Sequence, residues 1–509
     1  MSTERRQKTV VVGSGPVGSL AALYAAQRGD DVEVYDLRGD LRDPLTVPLN
    51  FTKSINLALS ERGINSIRHA NRPDLLESIL AETLPMYGRM IHGERNGSLF
   101  EESQAYDIHG RFIRACDRAL LTTRLLSELE QMPNVKFFFH HKLVGADFKR
   151  KLAWFEAKLP SNKSSNGSSD GGRNVVEVEV SFDFMMGADG AHSSVRYHLM
   201  KYARINYQQE YIETLWCEFH MTPDTNFGDS KFRISPNHLH IWPCGNFMFI
   251  AIPSTDKSFT CTLFMPAEKF EQLDANPHQI VPFFRENFPG VAGRLITEDE
   301  IERQYVKNLH LPLISLKCKP YHFGSSVVIL GDAAHAMVPF YGQGMNAGLE
   351  DVRILYDILD TLPNDRTKAL AQYTAQRHPD AVAINSLALR NYQEMSHDVI
   401  SPIYLFRKFI EEQLSSYLPS LGWATQYSRI SFGNESYSKV EMAARQQTKV
   451  LQRIIGLTSG VIGISVAFWI LRFMRTSPVF HRFAKLIREV RAIRSVRAST
   501  AVREIRTHR

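Results

Sequence analysis

Short apolar runs alternate with helical patterns along the first half of the chain. Thr9–Val12 reads as a strand, Ser19–Arg28 as a helix rich in alanine and leucine, and Asp31–Tyr35 as a second strand. Phe182–Met186 and Val327–Leu330 are further strands, the second rich in β-branched residues as in a parallel strand covered on both faces. Between them, Trp216–Met221, Phe232–Ile234, His238–Trp242, Asn246–Ile252 and Phe259–Met265 alternate polar and apolar residues, which predicts an inserted antiparallel sheet. Tyr87–His92, Val135–His140 and Leu152–Lys158 add shorter strands. The helical spacing covers Arg62–Leu80, Arg118–Leu129, Phe270–Asn287, a helix from about Met345, and Asp365–Gln413 with a break at Pro402. SINLALS at 54–60 fits a helix start or extended chain, Gly93–Gln104 reads as a polar loop, and Pro160–Arg173 as an exposed low-complexity hairpin tip.

Chemistry gathers where strands end. Thr9–Val12 runs into Gly13-Ser14-Gly15-Pro16-Val17-Gly18, and Asp36 closes the next strand 18 residues after Gly18. Strand, glycine turn, helix, strand and acid together form the dinucleotide fingerprint. Gly13 makes the turn, Gly15 admits a pyrophosphate, Gly18 lets helix and strand pack closely, and Asp36 suits ribose hydroxyls. A carboxylate there repels a ribose 2′-phosphate, so the occupant is FAD or NAD. Asp189-Gly190 and Gly331-Asp332 are two more strand-tip turns that enter helices. The second continues through Gly342, Gly344 and Gly348, so a carboxylate and a helix N-terminus sit close together. That suits a ligand with hydroxyls and a partly anionic edge, as in a reduced flavin; an ordinary strand–turn–helix is the alternative. Arg118 heads a helix, where the dipole disfavours a cation unless a phosphate or ribityl group lies beside it.

Composition is that of a globular chain of 509 residues. The five cysteines are scattered without a CxxC pair, and His238 and His240 lack a third ligand nearby in sequence, so no metal site and no disulfide framework is expected. Charge is uneven. Arg472–Arg509 carries eleven Lys/Arg against two Asp/Glu, net +9, which leaves −3 for the rest of a chain whose total is +6. Nucleic-acid binding is not expected of such a body. Ile454–Leu471 has 18 residues and no charge, and Arg453 and Arg472 bracket it. As a helix it would span roughly 27 Å, which predicts a membrane segment at 454–474 followed by a basic tail.

VVVGSGPVGS, GADGAHSSVR and ILGDAAHAMVPFYGQGMNAGLED resemble the three fingerprints of the single-component FAD-dependent aromatic hydroxylases, over residues 8 to 450. SINLALS, GRMIH, HIWP, SFTCTLFMP and LALRNYQEM are similar to members that act on L-kynurenine. The implied fold is α/β: a Rossmann-like FAD-binding domain at 1–85, 111–200 and 306–375, with inserted substrate-domain strands at 86–110 and an antiparallel sheet at 201–305. C-terminal helices at 376–450, the membrane segment and the basic tail at 475–509 follow. The implied activity is hydroxylation of L-kynurenine at carbon 3, with tightly bound FAD, transient NADPH and O2, through a flavin hydroperoxide. The implied location is the mitochondrial outer membrane with the catalytic body facing the cytosol. No protein side chain is required as a catalytic base.

The resemblance assigns residues as well. Gly13, Gly15, Val17, Gly18, Asp36, Leu37, Arg38, Ala58, Arg118 and Leu143 match FAD-contact positions. Asp332 would hold the ribityl chain, and the amides of Gly344, Met345 and Asn346 would face the flavin's pyrimidine edge. Asp189 would serve both FAD and NADPH docking. Arg89 and Tyr106 match a carboxylate clamp, Asn391 a further amino-acid contact and Tyr427 a pocket tyrosine, while Pro339 and Phe340 would wall the aromatic slot. Two other functions stay open at this level: hydroxylation of another aromatic amino acid or acid, and a membrane-tethered flavoprotein that transfers no oxygen.

Overall fold

The computed structural model describes residues 5–46, 56–158, 175–224, 232–417 and 422–453. The chain divides into two compact units, Met1–Glu441 and Met442–Arg509, and the fold below is that of the first. Its first layer is a six-stranded sheet ordered His322–Phe323, Val327–Ile329, Phe184–Gly187, Lys8–Val12, Asp31–Tyr35 and Val135–Phe138. All pairs are parallel except the His322–Phe323 edge. Val10, Val11, Met185, Met186, Val327 and Val328 are wholly buried, as expected of strands with both faces covered. Helices Pro16–Gln27 and Gly344–Thr361 pack together beside it. At their contact a side chain on Gly348 would lie 2.6 Å from Val17.

The second layer is a seven-stranded sheet in the order Leu311–Lys319, Asn206–Met221, Phe259–Pro266, Met248–Pro253, His238–Pro243, Gly88–Arg95 and Ser98–Ala105. Only the pair 238–243 with 88–95 is parallel. Alternation divides its residues between two cores. Cys217, Phe219, Trp242, Phe249 and Leu263 pack against Phe270, Phe284 and Tyr305 of three short helices. Ile91, Ile241, Ile250 and Phe264 face Phe340 and Leu387.

Several expected boundaries shift for local reasons. Arg62–Leu80 is two helices, Glu61–Arg68 and Pro73–Ala81, because Pro73 starts a new first turn and Asn71 adopts a left-handed φ of 52°. Phe270–Asn287 is likewise divided near Pro277. The polar loop expected at Gly93–Gln104 is a hairpin turning at Asn96-Gly97, both with positive φ, the residue pair that a tight hairpin turn favours. Phe232–Ile234 is not a strand, Asn56–Leu59 is one, and Pro402 does break the C-terminal helices. The low-complexity stretch 160–173 lies outside the described residues.

The membrane segment is corrected. Among the described residues no helix is long and apolar enough to cross a membrane, and the architecture is an α/β fold without such an element. Residues 454–474 and the tail at 475–509 lie outside the described residues. A run of uncharged residues bounded by arginines, on which that reading rested, does not by itself establish a spanning helix.

One buried acid has no counter-charge. Glu218, cross-strand from Thr262, has an oxygen without a hydrogen-bond partner among the described residues, and burial pushes its pKa up from 4.5 to about 7. The folded state therefore binds this proton more tightly than the unfolded chain. Stability falls as pH rises from about 4.5 to about 7, by on the order of 3 kcal/mol, and stays lower above that. Glu218→Gln should raise the melting temperature at pH 8 and leave it nearly unchanged at pH 5. Thermal scans showing equal shifts at both pH values would rule out titration of this group.

Candidate active site

The central strand Lys8–Val12 delivers Gly13 to the edge of the sheet, and helix Pro16–Gln27 begins three residues later. The glycines differ in what constrains them. A side-chain carbon at Gly18 would sit 1.9 Å from the Gly13 carbonyl oxygen, so packing within the protein excludes it. At Gly15 the nearest protein atom would be the Arg118 guanidinium, 4.0 Å away, so that glycine faces open space. Asp36 accepts hydrogen bonds from the Ser14 amide and hydroxyl, both at 2.7 Å, and from the Arg38 amide at 2.8 Å. Leu37 and Arg38 are exposed beside it, whereas Leu143 is buried in the main core. Burial pulls the Arg118 pKa down, and the Asp332 and Asp36 carboxylates act against that pull.

The two Asp turns are used differently. Asp189 is committed to its own loop: it accepts from the Ser193 hydroxyl at 2.5 Å and the Val195 amide at 3.0 Å, while burial still raises its pKa. Asp332 is exposed and lies 3.9 Å from where a side chain on Gly344 would begin. The turn before it needs a positive φ of 58° at Gly331, and Val17 packs against that glycine. Arg196, absent from the sequence assignment, ties the two turns together by donating to Ala333 O at 2.8 Å and Ala191 O at 2.6 Å. Its place inside the GADGAHSSVR stretch was the available signal. The Asn346 side chain is fully used: it accepts from the Ser60 amide at 2.9 Å and donates to Ala58 O and Gly342 O at 2.7 and 2.8 Å. What the first turn of helix Gly344–Thr361 offers a ligand is therefore its backbone amides. Open Gly15, exposed Asp332, half-buried Arg118 and this helix end fit an FAD: pyrophosphate, ribityl hydroxyls and ring edge each meet matching chemistry.

A second cluster lies beside the loop Pro339–Tyr341. Arg89, 6% exposed on strand Gly88–Arg95, donates to Glu394 Oε1 at 2.6 Å and Asn391 Oδ1 at 3.2 Å. The Asn96-Gly97 hairpin brings Tyr106 back alongside, its amide on Tyr87 O. Tyr106 stacks on Tyr427 at 4.7 Å, Tyr427 stacks on Tyr341 at 5.7 Å, and the Arg89 guanidinium lies 5.2 Å from the Tyr427 ring. The structure thus gathers Arg89, Tyr106, Asn391 and Tyr427. Phe340 is buried between Phe264 and Tyr392, and Asn391 donates to its carbonyl at 2.7 Å; Pro339 is exposed. Burial lowers the Arg89 pKa, but Glu394 and the surrounding tyrosines outweigh it and the net shift is upward. Arg89 Nε and Tyr106 Oη have no partner among the described residues.

Sequence reading missed Glu394, Tyr341 and Tyr404. Glu394 follows Asn391 by three residues on one helix, so both reach Arg89 from the same face, and that spacing was legible. Tyr404, from helix Pro402–Tyr417, donates to Glu394 at 2.8 Å.

Fold and cradle together are those of a flavoprotein, and the family model described as FAD binding domain matches residues 6–388. Solved structures share the fold at low identity. They include 2-methyl-3-hydroxypyridine-5-carboxylic acid oxygenase (17% identity, TM-score 0.57, 79% of this chain and 95% of that one). PqsL of P. aeruginosa is another (17%, 0.56, 77% and 97%). Curated relatives are far more similar. A kynurenine 3-monooxygenase of Neurospora crassa is 62% identical over 476 residues, 90% of this chain and 91% of its own. One of Chaetomium globosum is 61% identical over 479 residues, 90% and 98%. The chain belongs to the kynurenine 3-monooxygenase family of FAD-dependent monooxygenases.

The glycine geometry separates two kinds of defect. Gly15→Ala should fold with a melting temperature near wild type and lose FAD affinity by at least about tenfold, because only the ligand side is filled. Gly18→Ala should lower the melting temperature itself. Fluorescence titration of apoprotein with FAD distinguishes them, and full FAD affinity in Gly15→Ala would remove the pyrophosphate from that position.

Proposed function

We propose that this protein hydroxylates L-kynurenine to 3-hydroxykynurenine, consuming NADPH and O2. The observation that carries the reading is Arg89 held between Glu394 and Asn391, with Asn391 bonded to the loop that joins the FAD cradle. When bound, FAD takes two electrons from NADPH and activates oxygen, one atom of which enters the ring while the other leaves as water. The chain positions the substrate and keeps the reacting centre dry.

Arg89 pairs with the substrate carboxylate, where a fork-shaped donor outperforms a lysine. Its unpartnered Nε and the unpartnered Tyr106 hydroxyl supply further donors. Glu394 receives the substrate ammonium. The internal ion pair is thereby exchanged for two pairs with a zwitterion, and no unpaired charge is left in the pocket. Burial raises the Tyr106 pKa, so that hydroxyl stays a donor at neutral pH. Phe340 and Tyr427 wall the slot for the aminophenyl ring, whose own amino group activates the ortho carbon. NADPH docks along the Asp189–Gly190 turn, where a side-chain carbon on the left-handed Gly190 would meet no atom within 4 Å beyond its chain neighbours.

Hydroxylation of another aromatic amino acid is the second reading, since the carboxylate and ammonium contacts would be the same. Chromatography of the product from L-kynurenine separates the two; NADPH oxidation without 3-hydroxykynurenine excludes the first. A position at the mitochondrial outer membrane, with the catalytic body toward the cytosol, follows from the family resemblance alone, and cell fractionation tests it.

Arg89→Lys should raise KM for L-kynurenine by about tenfold or more and leave FAD content unchanged, because charge is kept and the bidentate geometry lost. Arg89→Ala should raise it further, since the substrate carboxylate then has no counter-charge in the pocket. Steady-state kinetics with either variant at wild-type KM would remove Arg89 from the clamp.

A further inference from the structure

We propose that the buried charge cluster around Arg377 sets the reduction potential of the bound FAD, acting through the first turn of helix Gly344–Thr361 and the Gly331–Asp332 turn. Arg377 lies on helix Arg366–Ser396, outside all three fingerprints, and is 1% exposed. Its Nε donates to Asp351 Oδ1 at 2.8 Å. Its Nη1 reaches Glu350 at 3.0 Å and Asp380 at 3.3 Å, and its Nη2 donates to Ala347 O at 3.2 Å. Ala347 follows directly on Gly344–Asn346, the amides offered to the flavin. Asp351 in turn accepts from the Gly331 amide at 2.9 Å and His335 Nε2 at 2.6 Å. Glu350 pairs with Arg62 at 2.8 Å.

Three buried carboxylates (Glu350, Asp351, Asp380) thus face two buried guanidiniums (Arg62, Arg377) and His335, and Arg353 approaches Glu350 at 3.7 Å from the rim. Water screens none of this well, so the sum of charge behind the helix end is felt at its amides. Reducing FAD adds negative charge where those amides point. One more unit of positive charge in the cluster favours the reduced form, and one less disfavours it. The cluster belongs to the protein's hold on FAD and is independent of which aromatic substrate is used.

Asp380 allows a clean test. It touches Arg377 and caps Ser438, accepting from the amide at 3.0 Å and the hydroxyl at 2.6 Å through Oδ1, yet it contacts neither flavin-facing element. Asp380→Asn keeps that acceptor and removes one negative charge. In full-length holoenzyme without substrate, titrated reductively against a reference dye, its two-electron potential should move positive by three- to tenfold in the equilibrium, about 15–30 mV. Arg377→Lys should stay within about 1.5-fold of wild type, about 5 mV, and Arg377→Gln should move negative. An Asp380→Asn potential unchanged or more negative would overturn the proposal, as would equal shifts in Arg377→Lys and Arg377→Gln. If Arg377→Gln does not retain FAD, Asp380→Asn decides alone. The measurement uses no kynurenine, so it stands or falls apart from the substrate reading.

Discussion

The Asp351 carboxylate is the point on which the cradle hangs. One oxygen holds the Gly331 amide and His335, the other holds Arg377, and all four groups are almost wholly buried. Burial alone would raise the pKa of this acid, but His335 and Arg377 outweigh it and the net shift is downward, so the carboxylate stays charged. Buried ion pairs rarely add much net stability, because desolvation offsets their attraction, yet losing one partner is costly. Their effect here is geometric. The Gly331 turn, which aims Asp332 outward, and the start of helix Gly344–Thr361 cannot move independently while both are fixed to one charged centre.

Two asparagine amides extend that rigidity toward the substrate side. Asn346 binds the strand Asn56–Leu59 to the loop at Gly342, and Asn391 binds Phe340 to Arg89. An amide donates and accepts at once, so each can bridge a carbonyl and a donor without importing charge. The Arg89 cluster and the start of helix Gly344–Thr361 therefore both meet one loop, Pro339–Gly342.

The parts legible in the sequence were those encoded locally. Gly13–Gly18 with Asp36, the Asp189 turn and the Asp332 turn are contiguous patterns whose chemistry follows from strand-end geometry. Arg89, Tyr106, Asn391 and Tyr427 were reached only through resemblance, and the structure places them together; no periodicity links residues 305 apart such as Arg89 and Glu394. The hairpin at Asn96-Gly97 was legible in its turn residues but not in its second strand: Ser98–Ala105 is a sheet edge with mostly exposed side chains, so its alternation carries little apolar signal. Arg62, Arg377 and Asp380 were invisible because a buried charge looks like a surface charge until its partners are known. The membrane segment expected at 454–474 rested on hydropathy alone, and no helix among the described residues is long and apolar enough to cross a membrane.

The Arg89–Glu394 ion pair also explains how an arginine can be more than nine-tenths buried. A lone guanidinium there would be strongly disfavoured, and Glu394 neutralises it. Tyr404 then holds Glu394 from a separate helix, and the Tyr427 ring covers the guanidinium face. The Arg89–Glu394 pair thus balances the pocket by itself, and the proposed substrate, with one carboxylate and one ammonium, would keep that balance. The net charge is the same in both arrangements, because the proposed exchange adds one charge of each sign.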